Sequence, residues 1–149
     1  MPKKTRIIKT SPERVFAVLA DGWSYASWVV GASHVRDVDD GWPAAGTRIH
    51  HQVGPWPLHI KDLTSVYAVV PDRMLELNAR AWPLGVARVR LDLVPVDAAT
   101  RVTLTYELVA GVGRFVPRSV QSALLGPRSI EMLRRIDDIA VRRRLAAVG

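Results

Sequence analysis

The chain has 149 residues, 48% of them hydrophobic and 23% charged, a net charge of +7 and no cysteine. That composition excludes a disordered chain, a disulfide scaffold and thiolate chemistry, and the length suits one domain spanning 1–149. No apolar run approaches the ~20 residues that cross a bilayer, and no apolar core follows the basic start at Lys3, Lys4 and Arg6, so no export signal is read and a cytoplasmic location is expected.

Thr5 to Lys9 alternates around Ile7 and Ile8 and reads as a first strand. Ser11 is a good N-cap and Pro12 suits the first helical position, so a helix begins there, with Val15, Phe16 and Leu19 on one face, and ends at Asp21-Gly22. Trp23 to Val29 is expected to form a second short helix, and Gly31 releases the chain into a strand over 33–38. Turn residues at Asp40-Gly41-Trp42-Pro43, Gly54-Pro55-Trp56-Pro57, Pro71-Asp72, Trp82-Pro83-Leu84-Gly85 and Asp97-Ala98-Ala99-Thr100 divide the central part of the chain into strands over 46–53, 58–70, 74–81, 86–95 and 101–109. After Gly111-Val112-Gly113 the chain is helical to about residue 146, with Ile130, Leu133, Ile136 or Asp137, and Ala140 at helical spacing, and Gly126-Pro127 is expected to kink or break that helix. The architecture is α+β: seven antiparallel strands with one apolar face that must curl around a single long helix and leave a cavity where the two do not close.

Pairing parity identifies the inner face. With Gly54 to Pro57 as a four-residue loop, Val53 faces Leu58, His51 faces Ile60, Ile49 faces Asp62 and Thr47 faces Thr64. In the last hairpin Val102, Leu104 and Tyr106 match Leu93, Leu91 and Val89. Leu75 and Leu77 join the same face only if the Trp82 turn holds an odd number of residues or a bulge. His51 and Asp62 then stand diagonally across neighbouring strands as two polar groups on an apolar face, with the Tyr106 hydroxyl nearby. They read either as an acid/base dyad or as a structural contact, with a bulge that ejects Asp62 as the further alternative. Turn parity puts Trp56, Trp82 and the loop carrying Phe115 at one end of the sheet and Trp42 at the other; the tryptophans either rim an opening or plug the core.

The segments Ser11-Pro12-Glu13-Arg14-Val15-Phe16, Tyr25 with Trp28, Gly46-Thr47-Arg48, Val70-Pro71-Asp72-Arg73-Met74-Leu75 and Thr100-Arg101-Val102-Thr103 fall in an order that resembles the polyketide cyclase/dehydrase and lipid-transport group of the START-like (SRPBCC, helix-grip) superfamily. The resemblance covers nearly the whole chain. It implies a helix-grip fold with a cavity for hydrophobic small molecules, entered near the Trp56 and Trp82 loops and the start of the last helix.

Other chemistry is less well supported. His34, His50, His51 and His59 do not converge at ligand spacing, so no metal and no cofactor are expected. Gly111-Val112-Gly113 lacks a phosphate-loop lysine, and the arginines are scattered among Glu76, Asp92 and Glu107 rather than lining a stripe, so nucleic acid is not an expected partner. Arg142-Arg143-Arg144 reads as the solvated end of a helix, with contact to an anionic membrane as the lesser alternative. The expected partner is therefore a hydrophobic small molecule, lipid or polyketide-like, bound by a monomer or homodimer acting as carrier or sensor. Its contacts are expected from Trp28, Ile49, Trp56, Ile60, Leu77, Trp82, Leu91, Leu104 and Phe115. The alternative is a cyclase or dehydratase with His51 as base, Asp62 orienting it and Tyr106 donating to an oxyanion.

Overall fold

Ser11 starts the first helix as a true cap: in the computed structural model its Oγ accepts the Arg14 N–H at 3.3 Å, and Pro12 opens α1 (Pro12–Ala20). The structure describes residues 3–29, 32–53, 60–81, 85–111 and 115–148, with the backbone alone described at 32–34, 36, 51–53, 60–62, 80–81, 118, 124–125 and 147–148. Before α1 runs β1 (Lys3–Ile8); after it come a single 3-10 turn (Gly22–Ser24) and α2 (Tyr25–Trp28). Six strands follow: β2 (Ala32–Val38), β3 (Arg48–Val53), β4 (Ile60–Val70), β5 (Met74–Ala81), β6 (Gly85–Val96) and β7 (Ala99–Ala110). The chain closes with α3 (Arg118–Val148). One antiparallel sheet holds all seven strands in the order β1-β7-β6-β5-β4-β3-β2, so the first strand returns to the edge beside the last.

Two sequence expectations on register meet different fates. Ala81 pairs with Gly85, which leaves three residues in the β5–β6 turn. The odd count brings Leu75 and Leu77 onto the buried face, where both are essentially inaccessible. Gly85 is required at that turn, because it sits at φ +120° and a Cβ there would lie 1.9 Å from the Ala110 carbonyl oxygen. The β3–β4 hairpin is slipped by two residues from the expected pairing: Val53 pairs with Ile60, His51 with Asp62 and Ile49 with Thr64. Residues 54–59 therefore all lie between the paired strands, rather than Gly54 to Pro57 alone. A slip of two preserves which face each residue occupies, so the assignment to faces survives while the partners change.

The helix α3 continues through Gly126-Pro127 without a break, since its neighbours on both sides keep helical pairing while Pro127 forfeits one bond. Among its described side chains the buried positions are Gln121, Gly126, Ser129, Leu133, Ile136 and Ala140. Ile130 is not among them; at 52% exposure it lies just beside the stripe that Ser129 begins. Arg6 of β1 fastens the helix to the sheet edge, its Nε donating to Asp137 Oδ2 at 2.7 Å. Arg143 near the helix end reaches Asp21 after α1 at 2.8 Å. Among the described residues no helix is long and apolar enough to cross a membrane.

Candidate functional site

The register arranges the inner face of the sheet into rows across the strands. Toward the end where β4–β5 and β6–β7 turn, the rows are made of large apolar residues: Leu75 opposite Leu91 opposite Leu104, then Leu93 opposite Val102. These side chains are buried against Val15, Phe16, Val18 and Leu19 of α1 and Leu133, Ile136 and Ala140 of α3, in one continuous cluster. Trp42 caps that end. Its indole Nε1 donates to the Leu19 carbonyl at 3.1 Å, so this tryptophan plugs the core, one of the two roles open to it from sequence.

Toward the opposite end, where the connections after β3, β5 and β7 leave the sheet, the rows shrink. Ile49 stands opposite Thr64, Thr64 opposite Ala79, Ala79 opposite Ala87 and Ala87 opposite Leu108. Across β4, β5 and β6 that row offers only a threonine and two alanines. Among the described side chains, the first half of α3, which faces this end, buries Gln121, Gly126 and Ser129 where the second half buries Leu133 and Ile136.

Polar groups collect in this half. Tyr25 and Trp28 of α2 meet edge to face, centroids 5.4 Å apart, and Tyr25 Oη shares a buried hydrogen bond of 2.7 Å with Thr64 Oγ1. Trp28 is 1% exposed and Tyr106 3%, yet Trp28 Nε1 and Tyr106 Oη find no hydrogen-bond partner among the described residues. An unsatisfied buried donor costs about 1–3 kcal/mol, so two in one half mark a place where an acceptor is wanted.

The residues expected from sequence are spread unevenly between the two halves. Ile49, Leu77, Leu91 and Leu104 are buried on the inner face, Leu91 and Leu104 within the filled half and Ile49 in the sparse one. Trp28 and Tyr106 are buried and inward. His51 and Asp62 are direct cross-strand partners, one step beyond the Ile49–Thr64 pair, not diagonal ones; their side chains, and that of Ile60, lie outside the described residues. Trp56 and Trp82 lie outside them altogether. Phe115 is 75% exposed just before α3, at the rim rather than in the wall. His50 belongs to the outer face, where its Nε2 lies 3.2 Å from Asp39 Oδ1. Arg48 bonds the same carboxylate, and that contact, reinforced by His50, holds Asp39 below the ordinary carboxylate range.

Sequence reading missed Lys4 and Gly126. Lys4 shares a face with Arg6 and Ile8, the face α3 covers, and the strict alternation against exposed Ile7 was the available signal. Gly126 was read as a helix breaker, whereas its place is opposite the Tyr106 hydroxyl.

Comparison with known proteins agrees with this architecture. No curated protein matches the chain. Among solved structures it is similar to the ZhuI aromatase/cyclase from Streptomyces sp. R1128, with 21% identity, a TM-score of 0.76, and 99% of this chain and 97% of that one covered. It is also similar to protein NE0264 from Nitrosomonas europaea (15% identity, TM-score 0.72, 97% and 96% covered). A conserved protein from Geobacillus kaustophilus gives 15% identity and a TM-score of 0.70 over 94% of each chain. At these identities the likeness is one of fold. Residues 3–140 match the family described as polyketide cyclase / dehydrase and lipid transport, and the chain belongs to that family.

Proposed function

We propose that the protein binds a hydrophobic small molecule, lipid or polyketide-like, between the sparse half of the sheet and the first half of α3, and acts as a carrier or sensor. The observation that carries this reading is the row of small residues Thr64, Ala79 and Ala87 across β4, β5 and β6, with Gly126 and Ser129 buried on the first half of α3. Close packing is the rule in protein interiors, and a row of small side chains beneath a helix is where a ligand can find room. Trp28 and Tyr106 supply the few polar groups that orient a mostly apolar ligand, and entry is from the end where β3, β5 and β7 finish. Native mass spectrometry of the purified protein tests the reading. A co-purified apolar compound, released when Ala87→Leu fills the space, is expected; a protein that carries and captures no apolar compound contradicts it.

A second reading is favoured by one observation, the direct pairing of His51 with Asp62 across β3 and β4. In that reading His51 is a general base oriented by Asp62, and Tyr106 Oη donates to oxygen charge developing on a polyketide-like substrate in a cyclisation or dehydration. His51→Ala then abolishes turnover of such a substrate while leaving its binding intact. Under the carrier reading the same change only retunes affinity.

A further inference from the structure

Where β1 meets α3, three features of the chain converge. A methyl group placed on Gly126 would contact Lys4 Cε at 3.6 Å, Tyr106 Oη at 3.7 Å and Lys4 Nζ at 4.0 Å. These are ordinary contact distances, so an alanine would fit, and alanine is the better helix former in a helix interior. Packing therefore does not demand glycine here. Glycine instead leaves bare the spot that a phenol hydroxyl and an ammonium group both border.

Both bordering groups want an acceptor. Tyr106 Oη is buried without a partner among the described residues. Lys4 is half-buried under the helix, and among the described residues no carboxylate pairs with it. The neighbouring cation on the same face, Arg6, is already committed to Asp137 at 2.7 Å. Among the described residues the gap therefore has one unpaired positive charge, one hydroxyl donor and little room. A phosphate, with more charge and more oxygens, is poorly matched to that set; one carboxylate oxygen meets it.

We infer that the ligand bound in the sparse half carries a carboxylate, seated at Gly126 between Lys4 Nζ and Tyr106 Oη. The inference rests on the ligand-binding reading above and names the head group that site selects. The apolar remainder of such a ligand runs along the Ala79 and Ala87 row, so the site selects amphiphilic acids over their neutral esters and alcohols. Arg6, one step further along β1, is kept from competing for the carboxylate by its own bond to Asp137.

Fluorescence titration with dansyl-undecanoic acid and with its methyl ester, at a pH where the acid is ionised, tests this directly. The wild-type protein is expected to bind the acid about tenfold or more tightly than the ester, the worth of one charge-assisted hydrogen bond. Lys4→Met is expected to erase that preference by weakening the acid alone, and Tyr106→Phe to reduce it. Gly126→Ala should weaken the acid while raising the melting temperature. Because Lys4 lies at the sheet edge, Lys4→Gln provides a second, polar variant if the methionine form does not fold. Equal binding of acid and ester by the wild type overturns the head-group inference and leaves the pocket standing. A preference for the acid that survives in both Lys4 variants also overturns it, by placing the carboxylate elsewhere. Failure of both probes to bind overturns the ligand-binding reading together with the inference.

Discussion

The two halves of the space between sheet and helix are built from the same strands and the same helix, yet they are solved differently. In the half capped by Trp42, leucines from β5, β6 and β7 interlock with Leu133 and Ile136, and the result is an ordinary core. In the half toward Phe115, the same strands present Ala79, Ala87 and Thr64, and the helix presents Gly126 and Ser129. On the proposed reading, stability and ligand space are divided along the strands of a single sheet, not assigned to separate domains. That division also explains why the hydroxyl of Tyr106 and indole of Trp28, without a partner among the described residues, are tolerated: the filled half supplies the burial that offsets them.

The contrast can be broken most forcefully by cutting into the filled half. Leu91→Ala or Ile136→Ala removes a fully buried side chain and is expected to cost about 2–5 kcal/mol in chemical denaturation, since the surrounding leucines cannot collapse into the hole. The mirror change, Ala87→Leu in the sparse half, is expected to leave stability within about 1 kcal/mol of wild type, because overpacking penalties arise only where no space exists. Comparable losses from Leu91→Ala and Ala87→Leu would show that both halves are equally full. Tyr25→Phe sharpens the picture at the boundary. It removes the 2.7 Å bond to Thr64 while keeping the ring against Trp28, with an expected cost of about 1 kcal/mol in the same assay.

The smallest expected effect lies on the outer surface of α3. Arg134 and Arg135 both bond Glu131, and their contacts lower its pKa from 4.5 to about 2. A carboxylate depressed in the folded state contributes stability that is present above its ordinary pKa and lost as pH falls through the folded value. Wild type is therefore expected to lose this slight contribution between pH 4.5 and 2, and Glu131→Gln to lack that part of the acid limb. Circular dichroism melts across that range check it. The exposed setting keeps the effect small and salt-sensitive. Neither half of the interior should notice.

Much of this architecture is legible from the residues. Ser11-Pro12 announces α1, the turn residues separate the strands, and period-two alternation identifies the inner face well enough to demand an odd count or a bulge in the Trp82 turn. Local chemistry decides such features. The β3–β4 register is not legible, because a slip of two leaves every residue on its face and so leaves no trace in the hydrophobic pattern. With the register go the rows, and with the rows the contrast between the halves, since Ala79 and Ala87 look unremarkable until Thr64 is known to stand beside them. Ile130 misleads because it is a large apolar residue one position off a buried stripe whose own members there are Gly126 and Ser129. Lys4 escapes notice for a related reason: a lysine on an edge strand ordinarily guards the edge, and only the covering helix turns it toward the interior.

The division between a filled and a sparse half is tested most directly by diffraction from crystals of the protein held under xenon pressure, since xenon enters apolar voids and leaves packed cores empty. Xenon is expected between the Thr64, Ala79 and Ala87 row and the Gly126 turn of α3, with none among Leu75, Leu91, Leu133 and Ile136. Xenon confined to the leucine cluster, or absent from both halves, would contradict the division and the ligand site built on it.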